Sequence, residues 1–194
     1  MNNFTSFKNW LNETKKTDKT EYGCVMLFAT IPDWEDRLKI INKEDIFDDE
    51  TKDYGLEHET HVTLLYGIHL DETKPEKIKK FIETFNSIDV SINEISCFEN
   101  ENYDVVKYDV PVTKELKEYH DAILANYPNT QTFPDYHPHM TISYVIPGTG
   151  KKYSKKIKPF NVKFDTVIYS YNKKGESKRT KIKIKLEDES KVRK

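Results

Sequence analysis

Two short stretches of this chain repeat one pattern. His61-Val62-Thr63-Leu64-Leu65-Tyr66 and His139-Met140-Thr141-Ile142-Ser143-Tyr144 each read histidine, apolar, threonine, apolar, any residue, tyrosine. Histidine can take or give a proton near neutral pH, so a pair can do both in one reaction. Threonine adds a hydroxyl that donates to an anionic oxygen. Along a strand, residues i and i+2 share a face roughly 6–7 Å apart. Each histidine therefore points with its threonine, while Val62, Leu64, Met140 and Ile142 point the other way, into a core. A buried strand would fill the first face with Val or Ile, but here it is polar. Set side by side, two such strands bring two imidazoles and two hydroxyls to one cleft.

Such a cleft suits a phosphate ester. A neutral imidazole accepts the proton of the attacking oxygen, and an imidazolium delivers one to the leaving oxygen. Threonine hydroxyls stabilise charge on the non-bridging oxygens. A ribose 2′-hydroxyl already lies within reach of the neighbouring phosphorus, so attack by it requires no metal. A zinc reading of His137-x-His139 with His58-x-x-His61 would leave both threonines unexplained, and Pro138 disturbs its spacing.

The elements that must position these groups are legible. Tyr22 to Ile31 and Thr60 to Tyr66 read as buried strands, and strands follow at 88–98, 103–111 and 139–146. Asp33 can cap a short helix bearing Trp34, Leu38 and Ile41, and Pro75 opens a helix over 74–86. Thr113 can cap a helix with Leu116, Tyr119, Ile123, Leu124 and Tyr127 on its apolar stripe. Phe160–Tyr171 and Lys178–Leu186 flank NKKGES and read as a hairpin, whereas 42–58 reads as an acidic loop. Hairpin-like strand pairs with single helices between them favour α+β. Residues 1–20 read as an amphipathic extension, 21–187 as one domain and 188–194 as a charged tail.

Composition narrows the class. The chain has 194 residues, of which 33% are charged and 12% aromatic, with a formal net charge of -2. That is enough chain for a sizeable core. The start has no continuous apolar stretch of a signal peptide, and no run approaches the ~20 residues of a membrane span. Cys24 and Cys97 are too few for a disulfide scaffold and read as buried thiols. These features lead us to expect a soluble protein of a reducing cytoplasm, with no membrane partner. From Gly150 onward, 16 Lys/Arg face 5 Asp/Glu. A basic third can meet a phosphate-bearing ligand, although most such lysines are ordinarily solvated faces. The slightly acidic whole argues against a long track for duplex nucleic acid.

Further ligand contacts are expected from aromatic side chains, since bases stack on them. Tyr22 opens the first strand. Phe133 and Tyr136 lie in the loop before the second motif and could close over it. Tyr66 and Tyr144 sit at an odd offset from their histidines, so they line the site only if a bulge intervenes and otherwise belong to the core. Glu176, in the hairpin turn, could read a base edge. His120 is expected on a helix surface, exposed or half-buried.

The paired motif, with copies about 80 residues apart, resembles the 2H phosphoesterase superfamily. The resemblance implies a bilobal α+β fold with two antiparallel sheets flanking a central cleft and helices outside. It implies cleavage of phosphodiesters or 2′,3′-cyclic phosphates without cofactor or metal, with His61 and His139 catalytic and Thr63 and Thr141 binding phosphate. YGCVML and GLEHETHVTLLYGIH are similar to phage anti-CBASS proteins, which destroy the cyclic di- and trinucleotide signals of bacterial immunity. The expected partner is thus a cyclic oligonucleotide. The alternatives are a 2′,3′-cyclic phosphodiesterase, a 2′–5′ RNA-processing enzyme, and a sponge that binds cyclic nucleotides without cutting them.

Overall fold

A computed structural model describes residues 22–49, 54–131, 135–172 and 178–188. The expected extension at 1–20 and most of the tail lie outside them, as do Phe133 and Glu176. Seven strands make one antiparallel system: β1 (Tyr22–Ala29), β2 (His61–His69), β3 (Ile88–Phe98), β4 (Asp104–Asp109), β5 (His139–Val145), β6 (Lys155–Asn172) and β7 (Arg179–Lys185). Their order is β2-β1-β6-β3-β4-β5, with β7 also paired to β6. The helices are α1 (Trp34–Leu38), α2 (Pro75–Ile82) and α3 (Lys114–Asn126).

The two expected sheets are halves of this system, joined through one strand. β6 runs for 18 residues. Its first half pairs with β3, while its second half pairs with β1 and β7. One lobe is therefore β2-β1-β6-β7 and the other β5-β4-β3-β6. The chain order that produces this is the α+β arrangement read from the sequence.

Period-two burial fixes which face each strand buries. In β3, Ile88, Val90 and Ile92 are buried and the residues between them are exposed. The apolar partners of the motif, Val62, Leu64, Met140 and Ile142, share one core with Ile78 and Ile82 of α2 and Leu116 and Ile123 of α3. The helices cover that face, leaving the other to the polar motif residues. Pro75 occupies the first turn of α2, where its missing N–H costs nothing. The Thr113 hydroxyl accepts from the Leu116 N–H at 3.2 Å and caps α3. Asp33 does not cap α1. Its carboxylate is instead bound by Arg37 at 2.8 Å, which draws it away from the free backbone N–H groups. Cys24 is buried as expected, but Cys97 is only half-buried.

The stretch read as an acidic loop has a structural task. The Phe47 N–H donates to the Tyr144 carbonyl at 3.0 Å, the Glu57 N–H to the Ile142 carbonyl at 2.9 Å, and the Tyr144 N–H to the Gly55 carbonyl at 2.9 Å. These bonds lay the lead-in to β2 along the free edge of β5. Asp45 is buried there, accepts from the Tyr153 hydroxyl and pairs with Lys152 at 2.6 Å. Those two partners hold its carboxyl below the usual carboxylate range. The outer strands of the two lobes, β2 and β5, are consequently brought against each other, with Cα atoms within 8 Å.

Candidate active site

β2 and β5 carry the two motifs, and each contains a bulge at the same motif position. Met26 faces Thr63 and Val25 faces Leu65, so Leu64 is the extra residue in β2. Lys107 faces Thr141 and Val106 faces Ser143, so Ile142 is the extra residue in β5. A bulge shifts the side-chain phase by one residue. The tyrosines thereby return to the face of their histidines, despite the odd offset.

Tyr66 is half-buried on the His61 face, opposite Cys24. A second bulge at Gly67, with φ +99, then brings His69 to the same face. A Cβ at Gly67 would lie 2.3 Å from the Thr130 carbonyl oxygen, so glycine is needed on both counts. Tyr22 is half-buried beside these residues, its ring 6.0 Å from Tyr66 and 5.7 Å from His69. Arg179 donates to the Tyr22 carbonyl at 3.1 Å and to the Ser170 carbonyl at 2.8 Å, tying the start of β1 to β6 and β7. Tyr144 also returns to its histidine's face but is buried, in a small aromatic cluster with Tyr54 and Tyr103. The core expectation thus fits its burial, though not the face from which it is reached.

The two histidines are held alike. The His61 Nδ1 lies 3.0 Å from the Glu59 carbonyl oxygen, and the His139 Nδ1 2.8 Å from the His137 carbonyl oxygen. A carbonyl only accepts, so Nδ1 carries the hydrogen in both rings and Nε2 is left for chemistry. Each ring also meets a phenylalanine. Phe28 stacks on His61 at 5.2 Å and 26°, and Phe98 meets His139 edge-on at 5.1 Å.

Burial is the main cause that pushes the His139 imidazole down to about 4, with Lys107 and His61 adding charge repulsion and the His137 carbonyl and Asp109 opposing it. His139 is therefore neutral at pH 7. The strands that carry the two rings, β2 and β5, lie against each other. The Thr63 hydroxyl lies within hydrogen-bond reach of the Cys24 thiol, and burial pushes that thiol up to about 12, keeping it protonated.

Residues not singled out by sequence reasoning complete the site. Lys107, 5% exposed, stands across from Thr141, donates to the Ser96 hydroxyl at 2.7 Å and is paired with Asp109. Asp109 stands across from His139. The available signal is the period-two placement of two opposite charges, Lys107 and Asp109, at the end of the strand. His120 also departs from expectation. It is buried, and its Nδ1 lies 2.7 Å from the carbonyl of the bulge residue Leu64. The Tyr136 ring stacks on His120 at 4.1 Å and 9°. Tyr136 is thus committed to packing on α3 rather than closing over the motif. Phe133 and Glu176 fall outside the described residues.

The basic hairpin strand has a definite orientation. Across the first lobe, register aligns His61 with Phe28, Thr166 and Lys185, and Thr63 with Met26, Ile168 and Lys183. Lys181 follows in the next row, opposite Ser170. The exposed lysines of β7 therefore lie on the sheet face that carries His61. Glu59 and Asp165 pair with Lys181 and Lys185 at 3.6 and 2.5 Å.

Among the described residues, His58 pairs with Glu35 at 3.0 Å and His137 is exposed. The one cluster of potential metal ligands among them is His69, Asp71 and Glu72, which leaves out both motif histidines.

Several solved structures share this fold. Escherichia coli LigT complexed with 3′-AMP superposes with TM-score 0.55 and 11% identity over 86% of this chain and 97% of LigT. The NADP+ complex of the same protein gives 0.53 and 10%, over 88% and 100%. TT0787 of Thermus thermophilus gives 0.52 and 10%, over 87% and 99%. At such identities the likeness is one of fold. No curated protein sequence matches the chain. The model of the 2′-5′ RNA ligase superfamily does match, over residues 37–169, a span that contains both motifs.

Fold and paired motif together define a 2H phosphoesterase, an enzyme of the hydrolase and phosphodiesterase class. The chain belongs to the 2′-5′ RNA ligase superfamily.

Proposed function

We propose that this phosphodiesterase opens the 3′–5′ bonds of cyclic di- and trinucleotides, and that it serves a phage by removing CBASS signals in the bacterial cytoplasm. The observation that carries the reading is the matched setting of His61 and His139, each with Nδ1 bound to a carbonyl two residues upstream and Nε2 left for the substrate. One Nε2 takes the proton of a ribose 2′-hydroxyl as its oxygen attacks phosphorus. The other gives a proton to the departing 5′-oxygen. Thr63 and Thr141 donate to the non-bridging oxygens, which gain charge in the transition state. The 2′,3′-cyclic phosphate so formed is hydrolysed by the reverse use of the same two groups, and no step needs a metal.

Ring recognition is supported by Tyr22 and Tyr66, which stand together beyond Thr63 on the face of His61. Aromatic faces there suit a base at ~1–3 kcal/mol per stack. The sequence likeness of Tyr22–Leu27 and Gly55–His69 to anti-CBASS proteins points the same way.

A second reading follows from the family and from β7. A ladder of exposed lysines on the His61 face also suits a linear RNA end or a 2′–5′ linkage. Product analysis on four substrates separates these readings: a cyclic dinucleotide, a cyclic trinucleotide, an oligomer ending in a 2′,3′-cyclic phosphate, and a 2′–5′ dinucleotide. We expect the cyclic substrates to be opened fastest. Preference for the linear ones would establish the second reading, and tight binding of intact rings would show a sponge.

A further inference from the structure

The repeat extends beyond the motifs to the strands beside them, and there it breaks. β1 lies against β2 as β4 lies against β5. Phe28 stands across from His61 where Asp109 stands across from His139, and Met26 across from Thr63 where Lys107 stands across from Thr141. Apolar residues in one lobe are thus replaced by an ion pair in the other. Lys107 is almost fully buried, and its ammonium lies 4.3 Å from the Phe98 ring centre, the same ring that meets His139.

We propose that the Lys107–Asp109 pair makes the two histidines unequal, so that His139 is the base for the attacking 2′-hydroxyl and His61 the acid for the leaving oxygen. The assignment rests on the proposed 2′-hydroxyl mechanism and deepens it. Two imidazoles at one site compete for one proton, and a fixed ammonium beside one ring sends the proton to the other. The groups around His139 are Lys107 and Asp109 from β4, His61 from β2, uncharged Phe98 from β3 and the His137 carbonyl from its own approach. Asp109 would favour a proton on His139, but Lys107 binds its carboxylate. Across from His61 and Thr63 stand only Phe28 and Met26.

In the transfer step the 2′-oxygen–phosphorus bond forms and its proton passes to His139 Nε2. The phosphorus–5′-oxygen bond breaks and the leaving oxygen receives the proton of His61 Nε2. His139 is then protonated and His61 neutral, as the following hydrolysis requires. Lys107 and Asp109 are positioning residues that act through His139.

A ribonucleoside 3′-(4-nitrophenyl phosphate) tests the assignment, because 4-nitrophenolate leaves without needing a proton. His61→Ala should stay within about tenfold of the wild-type rate on this ester, whereas His139→Ala should lose ~10²–10⁴-fold. The opposite pattern overturns the assignment. If the wild type fails to release nitrophenolate, the 2′-hydroxyl reading itself is wrong.

NMR titration of the His139 ring tests the ion pair directly, with no substrate present. In Lys107→Met the His139 midpoint should rise by about one pH unit. The Lys107→Met, Asp109→Asn double variant leaves no buried charge unpaired and guards against misfolding. In that variant too the His139 midpoint should rise, by less than in Lys107→Met, and stay low because burial is untouched. An unmoved His139 midpoint in both folded variants removes the ion pair from the mechanism.

Discussion

His61 and His139 are held by the same bond in two different lobes. Each ring is fixed through Nδ1 to the carbonyl two residues upstream, at 3.0 Å and 2.8 Å. Because the bond arises within the strand approach itself, the repeat reproduces it without further machinery. It sets the tautomer, with the hydrogen on Nδ1 and the lone pair on Nε2 of each ring. From this arrangement, together with the bulges, the outcomes below follow.

Removal of either imidazole should be severe. His61→Ala and His139→Ala are each expected to lose ~10²–10⁴-fold in kcat on a natural phosphodiester. The check is a steady-state assay on protein shown to be folded by its melting curve. Near-full turnover in either variant would dissolve the paired mechanism.

The threonines should matter less than the imidazoles, as each supplies one donor. Thr63→Ala or Thr141→Ala is expected to cost ~2–4 kcal/mol, a kcat loss of about 30- to 1,000-fold. Thr63→Ser and Thr141→Ser keep the hydroxyl and should recover most of it.

His139 links stability to pH. Burial and its neighbours lower it from 6.5 to about 4, so the folded protein holds fewer protons on this ring than the unfolded chain does between those values. Its contribution is then complete above pH 6.5 and is lost as pH falls toward 4. Melting temperature should drop across that window by more in the wild type than in His139→Gln. Equal pH dependence of the two proteins would contradict the lowered value.

His120 should act on catalysis from behind the strand. Its Nδ1 contacts the Leu64 carbonyl at the bulge that resets Tyr66 to the face of His61. His120→Leu leaves that buried carbonyl without its partner, at a cost of about 1–3 kcal/mol in stability. Activity should fall by more than the population of folded enzyme does, and denaturant melts beside kcat measurements would show the difference. Loss of stability with kcat unchanged would assign His120 to packing only.

The β7 lysines should be felt through salt. Changing Lys181, Lys183 and Lys185 together to Gln is expected to raise KM and flatten its dependence on ionic strength, with kcat little changed. The three side chains are exposed, so the variant should fold normally. An unchanged salt slope would make this strand a solvated edge.

The sequence displayed the chemistry more clearly than its setting. A histidine and a threonine two apart, twice, sufficed for the two strands and for the face each motif shares, because period two leaves little freedom. Tyr66 could be placed only as far as the choice between a bulge and the core. A bulge is a matter of cross-strand register, which one strand does not reveal. Lys107 and Asp109 were not singled out, because their meaning depends on β4 lying beside β5. His120 was misplaced because a helical histidine carries no mark of the carbonyl it will meet. The acidic stretch 42–58 hid its backbone bonds to β5, since such pairing depends little on side-chain type.

One measurement addresses the central claim most directly. A 3′,3′ cyclic dinucleotide would be incubated in EDTA with the wild type and with His139→Ala, and the products resolved by chromatography and mass. The account predicts a linear dinucleotide from the wild type, passing through a 2′,3′-cyclic phosphate end, and almost none from the variant. Intact ring with the wild type, or equal cleavage by both proteins, would contradict it.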